Sequence, residues 1–160
     1  MTNESKKHTS KGDNKMKKMK QLLKNQKGLT LVELLAVIVI LAIVAAIAVP
    51  AIGNIIENSR YNAVKADATN VLSAAQLYFT DDATKTSVTV ETLKSENYLE
   101  SSGKIPADAS IAKDKPNKLT TKDVIKFSGE KTVKFTGASI EGINNNTTKG
   151  SDITAEVINN

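Results

Sequence analysis

The chain has 160 residues, no cysteine, a single histidine and a formal net charge of +5. Disulfides and thiolate metal sites are therefore excluded, and His8, in a polar front, leaves the body without an imidazole for catalysis or zinc binding. The charge is uneven. Residues 1–28 hold nine lysines against Glu4 and Asp13, a net of +7, so residues 29–160 sum to −2 and the basic total does not argue for nucleic-acid binding.

Residues 1–28 show no apolar period and many Lys, Asn, Ser and Thr residues, which predicts a disordered arm in which only Leu22 and Leu23 suit a helix. Lysines beside a hydrophobic span stay cytoplasmic, so the arm is expected to face inward. Met16 and Met19 are alternative starts, and Met16 to Gly28 would be a 13-residue front.

From Leu34 to Val49, sixteen residues carry no polar side chain. With Leu29–Val32 and Pro50–Ile52 the run is long enough to cross roughly 30 Å of hydrocarbon at about 1.5 Å per residue. It is apolar on every face, unlike a soluble core helix. It is also longer than an ordinary secretory signal core, although Ala45-Ala46 and Ala48 offer small residues for a cut. Pro50 and Gly53 predict a kink or local melting near residues 46–53, since proline removes one backbone bond and clashes with the preceding turn.

The helical pattern then resumes. Ile56, Ala63, Val64, Val71, Leu72, Ala75, Tyr78 and Phe79 recur at three-, four- and seven-residue spacings, with polar residues on the other faces. An amphipathic helix ending near residues 80–82 is expected. Residues 29–80 as one helix would measure about 78 Å.

Beyond Asp81-Asp82 the pattern breaks up. Residues 89–99 suit a short helix capped by Thr89 or Thr92 and packed through Leu93 with Tyr98 or Leu99. Residues 101–118, with Gly103, Pro106 and Pro116, read as loop. Strands are expected at 124–127, 132–136, 139–143 and 153–158, with turns at Ser128–Lys131 and Gly137-Ala138 suited to antiparallel pairing. The expected fold class is α+β: a long N-terminal transmembrane and amphipathic helix packed on a small antiparallel β-sheet. Its domains are a cationic leader (1–28), a transmembrane segment (29–56) and a head (57–160). The head divides into a helix (57–80), a variable segment (81–121) and a sheet (122–160).

The stretch Lys27-Gly28-Leu29-Thr30-Leu31-Val32-Glu33 and the apolar run after it resemble the class III signal peptide of type IV pilins and pseudopilins. The resemblance is specific over residues 27–53 and one of pattern beyond. It implies cleavage by a prepilin peptidase between Gly28 and Leu29, with methylation of the new N-terminus. Leu29 becomes the first mature residue, Glu33 the fifth and Pro50 the twenty-second, where the family often has a helix-breaking proline. Leu29 stands where phenylalanine or methionine is commoner. The family's frequent C-terminal cysteine pair is missing, which favours a Gram-positive relative. A glycine before the cut leaves the backbone open to a peptidase's catalytic groups. A carboxylate such as Glu33 inside hydrocarbon costs on the order of 2.5–3.5 kcal/mol when central. In the family, the amine created at the first mature residue, Leu29 here, pairs with that glutamate on a neighbouring subunit.

The implied partners are the prepilin peptidase, further copies of the chain and minor pilins, the pilus assembly ATPase and the platform membrane protein. The implied protein is a single-pass membrane precursor with a cytoplasmic N-terminus that becomes a cell-surface filament subunit for DNA uptake, adhesion, motility or secretion. No nucleophile–base set or metal cluster stands out, so neither enzymatic activity nor a cofactor is expected. Two weaker candidate sites lie in the head. Residues 101–140 hold eight lysines against four acids, a candidate DNA-facing patch, but Phe127 and Phe135 are the only aromatics there and a solvated face is preferred. Asp81-Asp82 as a calcium site lacks further ligands nearby, and helix-end solvation is preferred. The asparagine run at 144–146 contains glycosylation-type sequons and reads first as a turn. The alternatives are a single-pass membrane-anchored binding or sensor protein in which Gly28 is never cut, and an exported protein cleaved near Ala46–Ala48.

Overall fold

A computed structural model describes residues 10–159 and divides the chain into two compact units, residues 1–50 and 51–160. The first helix, α1 (Ser10–Asp81), supplies the described part of the first unit and opens the second. Helix thus replaces the irregular arm expected over residues 10–28, while residues 1–9 lie outside the description. Lys, Met, Gln and Leu between residues 15 and 26 are straight-chain helix formers. Extending an existing helix also avoids the cost of a new nucleus. Residues 46–53 are helical too, so Pro50 does not melt its surroundings. The proline removes one donor, and the apolar residues beside it have no better partner for their own amides than the helix.

In the first unit, the large side chains of the apolar run are solvent-exposed on all faces. Leu31, Leu35, Ile38, Leu41 and Val49 each show half or more of their surface. The helix is long and apolar enough to cross a membrane, and none of its apolar window is buried within the protein.

In the second unit, α1 presents Tyr61, Val64, Ala68, Val71, Leu72, Ala75, Tyr78 and Phe79 to the core. The expected stripe is correct from Val64 onward. Ile56 and Ala63 are exposed, and Tyr61 with Ala68 takes up the face instead. The next elements are β1 (Ser87–Thr89), α2 (Val90–Ser95), β2 (Ser110–Ala112) and β3 (Lys118–Thr120). Strands β1, β2 and β3 form an antiparallel sheet in that order. The segment read as loop, residues 101–118, therefore contains β2 and the first residue of β3. Each strand is three residues long and buries one side chain (Val88, Ile111 and Leu119). That is too short for alternation to show. As expected, α2 is capped by Thr89, whose hydroxyl accepts from the Thr92 amide at 3.2 Å, and it buries Leu93.

The last elements are β4 (Ile125–Ser128), β5 (Lys131–Phe135), α3 (Ile140–Asn145) and β6 (Ala155–Ile158). Ile125 and Phe127 point inward and Lys126 outward, the alternation expected. Two expectations fail together here. Residues 139–143 form no strand: Ser139 caps α3, its hydroxyl accepting from the Gly142 amide at 3.1 Å, and Ile143 is buried. The chain thereby returns to the starting end of β5, so β6 pairs with β5 in parallel and this sheet, ordered β4-β5-β6, is mixed, not purely antiparallel. The two sheets meet at a bridge between Leu119 and Ala138. Beside it, the buried Thr121 donates its amide to the Phe135 carbonyl at 2.9 Å.

Candidate functional site

The residues singled out in the sequence lie along α1. Gly28 and Leu29 are helical. Gly28 is the weak point of its turn, because glycine costs a helix interior about 1 kcal/mol relative to alanine. Glu33 follows Leu29 by four residues, hence on the same helix face about 6 Å further along the axis. It is exposed, with Leu31, Val32, Leu34 and Leu35 exposed around it, and among the described residues it makes no ion pair. One carboxylate on an apolar helix is the whole of this segment's polar chemistry between Leu31 and Val49. At Gly53 an added Cβ would meet nothing within 4 Å, so close packing inside the chain does not explain that glycine.

The second unit holds its polar chemistry where the loop after α3 (residues 146–152) lies on α1. Lys131 binds the Glu57 carboxylate at 3.0 Å and donates to the carbonyls of Gly150 (3.1 Å) and Ser151 (2.6 Å). The Ser151 amide donates to Asn58 Oδ1 at 2.9 Å. Gly150 sits so close to α1 that a Cβ there would lie 2.6 Å from Tyr61 Cβ and 2.8 Å from the Glu57 carbonyl oxygen.

One helical turn on, the side chains of Tyr61, Lys65 and Glu156 converge on Asn146. The Tyr61 hydroxyl donates to Asn146 Oδ1 at 2.9 Å, Asn146 Nδ2 donates to Glu156 Oε1 at 2.9 Å, and Lys65 Nζ donates to the Asn146 backbone carbonyl. Burial, and secondarily Glu156, pushes the Tyr61 hydroxyl up to about 12 against the opposing Asn146 bond. Burial lowers the Lys65 ammonium, and Glu156 works against it. Sequence reading missed this cluster and the Lys131 clamp. Tyr61 and Asn146 are 85 residues apart, and Asn146 is one of three consecutive asparagines.

The weaker candidates are accounted for locally. Asp82 accepts from the Thr84 amide and hydroxyl, which holds its carboxyl below the usual range, and Asp81 accepts from the Tyr98 hydroxyl at 2.8 Å. No group of three potential metal ligands occurs among the described residues. Of the eight lysines between residues 101 and 140, Lys118, Lys126 and Lys131 are in ion pairs, while Lys104 and Lys113 donate to backbone carbonyls. An open groove of about 780 Å³ runs between Leu72 and Phe79 on α1 and the Lys113–Asn117 loop.

The family profile of the prokaryotic N-terminal methylation motif matches residues 23–49, from the end of the lysine-rich front to the residue before Pro50. This is the class III signal-peptide motif of type IV pilins. Neither the curated proteins nor the solved structures contain a match to the chain.

Proposed function

We propose, starting from the prepilin-type motif at residues 23–49, that this chain is the precursor of a structural subunit of a type IV pilus-like filament and not an enzyme. The motif itself implies processing by a prepilin peptidase and assembly with pilus components, and the apolar helix suggests membrane anchoring. The single observation that carries the reading is the coincidence of this motif with an apolar helix exposed on every face and bearing one carboxylate, Glu33, that makes no ion pair among the described residues.

The cationic front keeps the N-terminus in the cytoplasm and the head outside. The helix opens at Gly28, where unwinding costs least, and the peptidase cuts before Leu29. The cut creates an amine and a new helix N-terminus whose first amides lack partners. A carboxylate in the first turns is favoured by both. Glu33, costly to hold alone in hydrocarbon, pairs with the Leu29 amine of the neighbouring copy and sets the stagger between packed helices. Residues 34–56 then exchange lipid for one another, with Pro50 and Gly53 providing flexibility and close approach. DNA uptake, adhesion, motility and secretion are all compatible tasks.

Mass spectrometry of the N-terminus from native membranes tests the reading. A chain beginning at Leu29 and carrying one methyl group is expected. An uncut chain, or a cut near Ala46–Ala48, refutes it in favour of an anchored binding protein or an exported one. Glu33→Ala should be processed normally yet fail to enter filaments; normal filaments would sink the pairing role.

A further inference from the structure

We propose that Lys65 and Asn146 are the two partners of an intramolecular isopeptide bond that fastens α1 to the loop before β6.

Three groups needed for amide exchange meet at Asn146, two on its carboxamide and one on its backbone carbonyl. The nucleophile is Lys65 Nζ, held against Asn146 by that residue's own backbone carbonyl. The electrophile is Asn146 Cγ, whose oxygen already accepts the Tyr61 O–H at 2.9 Å, a donor placed where negative charge develops as the carbonyl is attacked. The proton carrier is Glu156, whose Oε1 lies 2.9 Å from Nδ2, the atom that must leave. Tyr61 is fully buried, while Lys65, Asn146 and Glu156 are half-buried. Burial lowers the Lys65 ammonium and so enlarges its share of free amine, against the pull of Glu156.

The step balances without any co-reactant. Glu156 takes a proton from the Lys65 ammonium, and the free amine adds to Cγ to form the new C–N bond while the C–O electrons move to the oxygen facing Tyr61. The oxygen's electrons return, the Cγ–Nδ2 bond breaks, and Glu156 passes its proton to the departing nitrogen. That proton makes the departing nitrogen ammonia, and the proton shed by the former amine converts it to ammonium. One lysine ammonium and one carboxamide become one secondary amide and one ammonium ion, with no change of oxidation state.

The Asn146 sequon is committed to these contacts in the folded chain, whereas Asn145, beside it, is exposed. In a chain without cysteine, such a bond would be a covalent link between sequence-distant segments that needs no oxidant.

The test is the intact mass of the full-length chain purified in detergent, with fragmentation of its peptides. The expected mass is lower than the sequence mass, corrected for N-terminal processing, by one ammonia. A branched peptide should join residues 65 and 146. Lys65→Arg and Asn146→Ala should each restore the full mass, and Glu156→Gln, checked for native circular dichroism, should slow or abolish the loss. A wild-type chain of full mass overturns the proposal. So does an ammonia loss that persists in Lys65→Arg, which would assign it to a succinimide at asparagine. Neither result bears on cleavage at Gly28.

Discussion

Substituting Gly150 by alanine asks whether the loop after α3 is seated on α1 as tightly as the geometry states. The added methyl would lie 2.6 Å from Tyr61 Cβ, 2.8 Å from the Glu57 carbonyl oxygen and 3.2 Å from its carbon. Carbon atoms rest at about 3.5–4.0 Å, so the methyl is roughly 1 Å too close to the tyrosine. No rotamer change moves the Glu57 backbone. The loop must lift, and overpacking of this kind costs about 1–3 kcal/mol. Lifting also stretches the Lys131 bonds to Gly150 and Ser151 and the Ser151–Asn58 bond, each worth about 0.5–1.5 kcal/mol. Gly129→Ala is the control. Its Cβ meets nothing within 4 Å, but its φ of +53° is left-handed, which costs an L side chain roughly 1–2 kcal/mol. Thermal unfolding of the head in the detergent-solubilised chain should fall by about 4 °C or more for each kcal/mol. Crucially, in Gly150→Ala the amides of residues 150–152 should lose hydrogen-exchange protection, and in Gly129→Ala they should not. A Gly150→Ala chain with wild-type melting and protection would refute the seating of the loop on α1.

The other predictions concern titration and caps. Tyr61 normally ionises near 10.0 and is held protonated to about 12 in the fold. The unfolded chain releases that proton first, so the stabilisation is complete below pH 10 and is lost as pH climbs toward 12. Tyr61→Phe should remove this alkaline limb from unfolding curves, at the expense of one hydrogen bond, about 0.5–1.5 kcal/mol at neutral pH; an unchanged limb would assign it to another group. Thr89→Ala and Ser139→Ala should each destabilise by about 1 kcal/mol, with faster hydrogen exchange at the Thr92 and Gly142 amides respectively. An unchanged amide at either position would mean that the cap does not hold there.

Legibility in the sequence followed the length over which a pattern repeats. The apolar run and the stripe from Val64 to Phe79 were readable because many residues vote on one period. Tyr61 is absent from the expected stripe, and the fold both buries its ring and gives its hydroxyl a partner in Asn146. The segment Ser139–Ile143 illustrates a true ambiguity. Its isoleucines are three apart, which a helix turn accepts, and the Ser139 cap decided the matter through one hydrogen bond that no periodicity reveals. Strands β1 to β3 were hidden by their brevity and by Pro106 and Pro116 between and beside them. At the N-terminal segment, Gly28, Leu29, Glu33 and Pro50 were legible as a motif because their spacing is local. The contacts at Asn146 join α1, the loop after α3 and β6, and only folding brings them together.

Lys131 takes the place that a metal ion could hold in closing its loop. Two backbone carbonyls and a carboxylate oxygen converging on one point form the kind of hard-oxygen nest that extracellular proteins often fill with calcium. Here the chain fills it with its own ammonium group. A tethered cation cannot be chelated, diluted away or exchanged for magnesium, and no reductant can open it. The closure of this loop therefore needs neither a bound metal ion nor a disulfide.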